Sequence, residues 1–339
     1  VDDFVDTPAG FVPRVHTAMG SCDWIGTAAI RLGIGREDYK VTPGLYCVGD
    51  PLPDSPVLVT ANYKLTFDAL RGQLFGIDAW ILVCDTRGIN VWCAAGKGFF
   101  STDEVAQSVR AVRLDLVVDH RALILPQLSA TGVAAFELKK KCDFNAHFGP
   151  VRAGDLPAYL ACGKNATDAM RQVTFTMVER AVLAPLELWQ LRKHFALILL
   201  AAFIISGIGP GFFSVRVAWA RGWIAGGVTL LGLLAGTLSV PLLLPWLPGR
   251  QFWIKGIGPG VVVGIGAIWL FSDRIAVMEG TALFLWGSAL SSFLAMNFTG
   301  STPFTSPTGV AYEMRRGIPV QTGAALFAVI LWIASPFLG

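Results

Sequence analysis

The sequence predicts two parts: an α/β domain with a Rossmann-like, mainly parallel sheet, then an all-α transmembrane bundle of about five helices. Three observations carry this reading. Residues 1–194 hold 20 of the 27 Lys/Arg and 21 of the 24 Asp/Glu, leaving 7 and 3 for residues 195–339. Before residue 165, short apolar runs alternate with helical stretches, the signature of a parallel sheet with crossover helices. Beyond residue 194, apolar runs reach the length of a bilayer's hydrocarbon core. The expected boundaries are an N-terminal wrapping segment over 1–56, the α/β domain over 57–165, an amphipathic linker helix over 166–193 and a transmembrane domain over 194–339.

Residues 1–56 are rich in Gly, Pro and Asp. Ile25–Leu32 predicts a short helix, Arg36–Asp38 a polar turn, and Val41–Val48 an extended segment. Val57–Thr60 and Trp80–Cys84 read as buried strands, with a helix over Leu65–Leu74 between them. Asp85-Thr86-Arg87-Gly88 turns the chain. Ser101 and Glu104 have capping-box spacing for a helix running to about Arg113. Leu116–Val118, Leu123–Leu125 and Phe144–Phe148 are further expected strands, and Gly132–Lys140 and Leu156–Ala161 expected helices. In such folds ligands gather beyond the carboxyl ends of the strands. Thr60, Asn62 and the loop from Asp85 to Lys97 lie where that rule points.

Five spans are expected: His194–Phe213, Trp223–Trp246, Ile257–Phe271, Gly280–Phe298 and Gln321–Leu338. The third and fifth look short or broken. Basic residues Arg192, Lys193, Arg250, Lys255, Arg315 and Arg316 fall on one side, and Arg216, Arg221 and Arg274 on the other. This asymmetry predicts a multi-pass protein of the cell (inner) membrane with its N-terminal domain in the cytoplasm. Ionisable residues are scarce inside the spans, with Asp273, Arg274 and Glu279 at their margins. That favours an anchor or docking surface over a transport path.

All six cysteines, Cys22, Cys47, Cys84, Cys93, Cys142 and Cys162, lie in the first part, and none forms a CxxC pair. This argues against a self-contained iron–sulfur cluster or structural zinc site. The first part has a net charge of −1 (20 minus 21). No broad basic patch suggests nucleic acid.

Cys93 stands out by its flanks. It follows Asn90-Val91-Trp92 and precedes Ala94-Ala95-Gly96-Lys97, small residues that let a broad, flat ligand approach the backbone. Lys97 is placed to moderate a thiolate's charge. Three readings stay open on these grounds: a thiolate ligand for a soft metal or cofactor, a nucleophile, or a buried small hydrophobe. His120 and His147 share the domain but have no supporting motif. Ala95–Gly98 lacks both the Walker and the dinucleotide-binding spacing.

The stretch from Asn90 to Lys97 resembles the signature of the HgcA family, membrane-anchored corrinoid proteins of microbial mercury methylation. Val57–Thr66 resembles a segment of the corrinoid-binding part of corrinoid iron–sulfur proteins of the acetyl-CoA pathway. The likeness covers most of residues 40–165 and the multi-span organisation. It implies a corrinoid (cobalamin or related) held by the α/β domain, with the motif as a cap helix and the Cys93 thiolate as lower axial ligand to cobalt. Asn90, Val91, Trp92, Ala94, Ala95, Gly96 and Lys97 shape that cap, Thr60 lies in the opposing loops, and Asn62 takes the same role by position. His120 is a weaker candidate for a lower-loop contact.

The same resemblance implies an enzyme, a corrinoid-dependent methyltransferase that passes a methyl group from cobalt to Hg(II). A mercuric thiolate is then the substrate. An HgcB-like ferredoxin with two 4Fe–4S clusters is the implied reductant, and a methyl donor protein or methylated folate the methyl source. Membrane lipids are implied as surroundings, and no iron–sulfur cluster is expected in the chain itself. Two alternatives stand beside it: a methyl-carrying corrinoid protein of acetyl-CoA-pathway type with no mercury role, and a non-enzymatic membrane scaffold. The apolar region 195–339 and the lack of N-terminal cluster cysteines weigh toward the mercury reading at this stage.

Overall fold

The computed structural model of the protein describes residues 1–36, 38–302 and 305–338. The expected turn at Arg36–Asp38 thus includes Glu37, outside the described residues. The chain divides into two compact units, Val1–Thr174 and Phe175–Gly339.

The first unit opens with a hairpin of β1 (Phe4–Thr7) and β2 (Gly10–Pro13), then α1 (Ser21–Arg31). A sheet follows, built from β3 (Gly44–Val48), β4 (Val57–Ala61), β5 (Ala79–Cys84), β6 (Ala122–Leu125) and β7 (Asn145–Phe148). Its order is β3-β5-β4-β6-β7, with β3 antiparallel to β5 and every other pairing parallel. Between the strands lie α2 (Lys64–Arg71), α3 (Val91–Gly96), α4 (Thr102–Ala111) and α5 (Ala135–Cys142); α6 (Leu156–Ala161) follows β7.

β4 and β5 are buried throughout, and apolar but for Thr60, because helices cover both sheet faces. Val57, Val59, Leu82, Cys84, Leu123 and Leu125 cluster with Val105, Val109, Leu138 and Phe144 on one side. Leu58, Ile81, Val83 and Ile124 cluster with Phe67, Leu70, Leu156 and Tyr159 on the other. The strand expected at Leu116–Val118 is instead a 3-10 turn over Leu114–Leu116. Arg113 adopts a left-handed conformation (φ 50°) that ends α4 abruptly, and Leu114, Val117 and Val118 bury their side chains without pairing. Only half of the expected capping box forms: Ser101 Oγ accepts from Glu104 N (3.2 Å), while the Glu104 carboxylate accepts from Asp85 N (2.9 Å).

The N-terminal arm is fastened to α2 by charge. Lys64 Nζ meets Asp23 (2.7 Å) and Asp68 (2.5 Å), and Arg71 meets Asp68 (2.7 Å) and Asp23 (2.8 Å). Arg71 also donates to the carbonyl of His16 (2.6 Å). Asp68 and Arg71 are buried, so each depends on the other for compensation.

The second unit comprises α7 (Met177–Ala181), α8 (Ala184–Ser206), a minimal pair β8 (Ile208–Gly209) and β9 (Phe212–Phe213), α9 (Val215–Leu234), α10 (Val240–Leu243), α11 (Phe252–Phe271), α12 (Val277–Asn297) and α13 (Pro307–Leu338). Five helical stretches are long and apolar enough to cross a membrane: Met177–Ser206, Val215–Leu243, Phe252–Phe271, Val277–Gly300 and Thr308–Leu338. The linker expected as one helix over 166–193 is broken. Residues 172–176 are not helical, Thr176 and Glu179 then cap α7 reciprocally, and Pro185 starts α8 inside the first long stretch. The third and fifth helices are continuous despite Pro259 and Pro319.

α11 lies close on α12 because Gly256, Gly260 and Gly264 share one face. A Cβ on any of them would come within 2.6–2.7 Å of α12 atoms. Arg221, expected in a loop, and Glu279, expected at a span margin, instead form a buried pair at 2.7 Å between α9 and α12. Arg221 also donates to the carbonyl of Ser206 (3.1 Å) and to that of Trp332.

The Lys64 hydrogen bond, helped by that of Arg71, holds the Asp23 carboxyl well below the usual carboxylate range despite partial burial. Its folded value lies below its unfolded value, so its stabilisation is complete above about pH 5 and is lost as pH falls. Acid titration of the chain, followed by amide exchange over residues 16–31, is expected to release the arm before the sheet. Asp23→Asn should flatten that pH dependence.

Candidate functional site

The site is built where the sheet reverses direction. The chain goes from β4 to β5 on one side, then crosses to β6 on the other. β4 and β6 pair only at Val57–Leu123 and Leu58–Ile124. Beyond those pairs the strand ends separate and open a cleft of about 450 Å³ at a topological switch point. Val59, Thr60, Leu125, Pro126 and Gly149 supply its floor from the strand ends, and Asn90, Val91 and Trp92 enter from α3. Thr60 is buried, and its hydroxyl has no hydrogen-bond partner among the described residues.

α3 is a short cap with two distinct faces. Val91, Ala94 and Ala95 are buried beneath it, while Trp92, Cys93, Gly96 and Lys97 form its outer face. Asn90 is the N-cap, and its Oδ1 accepts from Cys93 N (2.9 Å). Ala95 sits against Gly132, where a Cβ would lie 2.2 Å from the Phe100 carbonyl and 3.1 Å from Ala95 Cα. Nothing within the chain requires Gly96 to be glycine. Its φ is not positive, and a Cβ there would meet no atom within 4 Å. Glycine inside a helix costs about 1 kcal/mol relative to alanine. The open backbone beside Cys93 therefore suits an external flat group.

Asn62 lies elsewhere than its expected role requires. It is buried and does not line the cleft. Its Nδ2 donates to Asp85 (2.9 Å), and its Oδ1 accepts from Thr86 N (3.1 Å), Thr86 Oγ1 (2.9 Å) and Gly88 N (2.9 Å). It thus fastens the loop that delivers α3. Within that loop Arg87 (φ 58°) and Gly88 (φ 73°) make a left-handed turn closed by Ile89 N to the Thr86 carbonyl (3.1 Å). His120 is also occupied structurally: Nε2 lies 2.9 Å from the Ser55 carbonyl, and Nδ1 accepts from Ala122 N. Gly132 and the cleft residues Pro126 and Gly149 were not assigned to the site by the sequence. Each matters through a contact distant in the chain.

Burial separates the cysteines. Cys47 and Cys84 are fully buried, and burial pushes their thiols up to about 11 and about 12. Such thiols stay protonated at neutral pH. Cys22, Cys93 and Cys162 are exposed, and of these Cys93 alone stands on α3 beside the cleft. Among the described residues no group of three or more His, Cys, Asp or Glu is arranged to hold a metal ion.

These features define an α/β module that presents one exposed thiol on a cap helix, next to a switch-point cleft. Residues 35–157 match the family model described as CdhD, the CO dehydrogenase/acetyl-CoA synthase delta subunit. Similar proteins include acetyl-CoA decarbonylase/synthase complex subunit gamma of Methanopyrus kandleri, 34% identical over 127 residues, covering 37% of this chain and 27% of the relative. The same subunit of Archaeoglobus fulgidus is 32% identical over 127 residues with the same coverage. That of Methanosarcina acetivorans is 34% identical over 129 residues, again with 37% and 27% coverage. The chain spans about a quarter of the length of these relatives.

These matches overturn the mercury-methylation reading. They place the α/β unit beside acetyl-CoA decarbonylase/synthase subunits. The Hg(II) methyltransferase assignment falls with that reading, as do the mercuric thiolate and the HgcB-like ferredoxin. The physical reason lies in what carried the distinction. Preference for mercury rested on the short Asn90–Lys97 stretch, the apolar region 195–339 and the lack of N-terminal cluster cysteines; an eight-residue stretch is outweighed by a match over residues 35–157, and long apolar helices report surroundings rather than chemistry.

Replacing Asn62 with Ala leaves the amides of Thr86 and Gly88 without their acceptor. The substitution is expected to cost about 2–3 kcal/mol and to speed amide exchange across residues 85–97 while β5 stays protected. Unchanged exchange in that loop would show that Asn62 does not position α3.

Proposed function

We propose that the first unit is a corrinoid-binding, methyl-carrying module of acetyl-CoA-pathway type, a carrier rather than itself a catalyst. The observation that carries this is the outer face of α3: the Cys93 thiol stands exposed beside Gly96, whose open backbone the chain does not need for its own fold. The likeness of residues 35–157 to acetyl-CoA decarbonylase/synthase subunits supports the same reading. Under it, the unit Val1–Thr174 is the binding domain, with β3 inside its sheet and the arm ahead of β3 as a wrap, and the unit that begins at Phe175 is the membrane anchor.

The residues present suit a corrinoid. Cys93 would hold the cobalt through its thiolate. Trp92, Gly96 and Lys97 would form the surface that holds the macrocycle, with Ala94, Ala95 and Val91 packing the cap on its inner face. Asn90 holds the cap's first turn, and Asn62 holds the loop that delivers it. Thr60 offers its unpartnered hydroxyl within the cleft, where a pendant group of the cofactor would lie. A bound corrinoid supplies cobalt that accepts and releases a methyl group. The chain's own part is to ligate, orient and leave one cofactor face open.

The partners proposed are other subunits of an acetyl-CoA decarbonylase/synthase type of assembly, with the membrane as the site of assembly. The N-terminal unit is assigned to the cytoplasmic side. With Arg221 buried in the bundle, only Arg216 and Arg274 remain of the basic residues counted for the outer loops, which sharpens the charge asymmetry.

Loading the purified full chain with hydroxocobalamin tests the reading. One corrinoid per chain is expected. Gly96→Leu should weaken uptake roughly tenfold by steric exclusion. Cys93→Ala should retain the cofactor but shift its absorption spectrum, while Cys162→Ala changes neither. Uptake and spectra indifferent to both Gly96 and Cys93 would reject the site.

A further inference from the structure

The cleft beside the cap carries a cation that the fold does not use. Arg31, the last residue of α1, lines it together with Thr60 and Tyr63. Its side chain is exposed and forms no ion pair or hydrogen bond among the described residues. No Asp or Glu lines the cleft, so the guanidinium meets no carboxylate there. The other cation of the lining, Arg152, is engaged, donating to the Thr174 hydroxyl.

α1 belongs to the N-terminal arm, yet its position is fixed. Asp23, on the same helix, is held by Lys64 (2.7 Å) and Arg71 (2.8 Å) of α2. Gly26 lies against Tyr39, where a Cβ would come 2.5 Å from the phenol oxygen. These contacts set the point from which the Arg31 side chain reaches. Arg31 also precedes residues 35–157, so it lies outside the part matched by the CdhD family model.

Two hydroxyls stand near this cation. Thr60 is 2% exposed and its hydroxyl is unpartnered. Its oxygen is not sealed in, unlike the enclosed unpartnered atoms of Thr27 and Tyr39, so it opens on the cleft that Thr60 lines. Burial pushes the Tyr63 phenol up, and the nearby Arg36 and Arg31 offset this only in part, so the hydroxyl stays protonated at neutral pH. The rest of the lining is mainly apolar, with Leu70, Leu125, Leu128 and Leu156.

Such a cleft suits a ligand that joins one negative charge to an apolar ring. The amide side chains of a corrin ring are neutral. Its nucleotide loop alone is anionic, with one phosphodiester linked through ribose to an aromatic ring.

We propose that Arg31 pairs with the phosphodiester of the cofactor's nucleotide loop, with Thr60 donating to the same loop and its aromatic end lying among the leucines. The domain thereby selects complete corrinoids over cobinamides, which end before the phosphate. This rests on the corrinoid-carrier reading and adds to it a specificity-determining residue from the arm.

The test measures binding of two corrinoids to the full chain in detergent by equilibrium dialysis. One is p-cresolylcobamide, whose phosphodiester-linked ring has no nitrogen to compete for cobalt; the other is cobinamide. The first is expected to bind about tenfold more tightly. Arg31→Gln removes no contact within the chain and should weaken p-cresolylcobamide about threefold to fivefold, leaving cobinamide unchanged. Thr60→Val should act in the same direction. Equal binding of the two corrinoids to the native chain would overturn the proposal, as would an Arg31→Gln effect of the same size on both. Inorganic phosphate that raises cobinamide to the affinity of p-cresolylcobamide would reveal a free-anion site and would equally overturn it. Equal binding that still depends on Cys93 and Gly96 would remove this inference and leave the carrier reading standing, whereas binding of neither corrinoid would remove both.

Discussion

One buried amide governs the candidate site. Asn62 directly follows β4, and its side chain satisfies both the backbone and the side chains of the loop that leaves β5. With that loop held, α3 lands on Gly132, where no larger residue fits. The cap's buried face is then fixed, and its opposite face must carry Trp92, Cys93, Gly96 and Lys97 outward. A thiol's position is thus set by an amide about thirty residues earlier in the chain. The division of labour is clear: Asn62 and Asn90 position, while Cys93 and Gly96 present.

The sheet supplies the rest of the geometry. Because β4 and β6 pair over only two positions before diverging, the switch point opens into a cleft rather than closing as core. The cap and the cleft sit side by side, so a ligand with a flat body and a pendant arm has a place for each. The thiols of Cys47 and Cys84 are buried in the apolar layer that also packs the cap's inner face, and burial keeps them protonated.

Much of this was legible in the sequence, for identifiable reasons. β4 and β5 are short buried runs flanked by turn residues, and the Ser101 cap is a local pattern that the structure keeps. Legibility ended where distant contacts decide. Glu104 abandons half of its capping box for Asp85, Leu116–Val118 yields to a turn set by Arg113, and Asn62 reads like a ligand contact but works as a brace. In the second unit, composition located five long helices but misjudged Arg221 and Glu279. Each looked like a marginal charge, and only packing brings them together. The glycine spacing at Gly256, Gly260 and Gly264 was the available signal for close helix contact. The choice of chemistry failed for a different reason: an eight-residue motif and a membrane region together suggested mercury, whereas the wider α/β unit is similar to acetyl-CoA decarbonylase/synthase subunits.

The claim on which the account turns is that Cys93 is the protein atom facing cobalt. X-ray absorption at the cobalt edge, on the corrinoid-loaded full chain, addresses it directly. The account predicts a sulfur scatterer in the first coordination shell of the native chain and its loss in Cys93→Ala. A shell of nitrogen and oxygen alone in the native chain, or a sulfur signal that persists without Cys93, would contradict it.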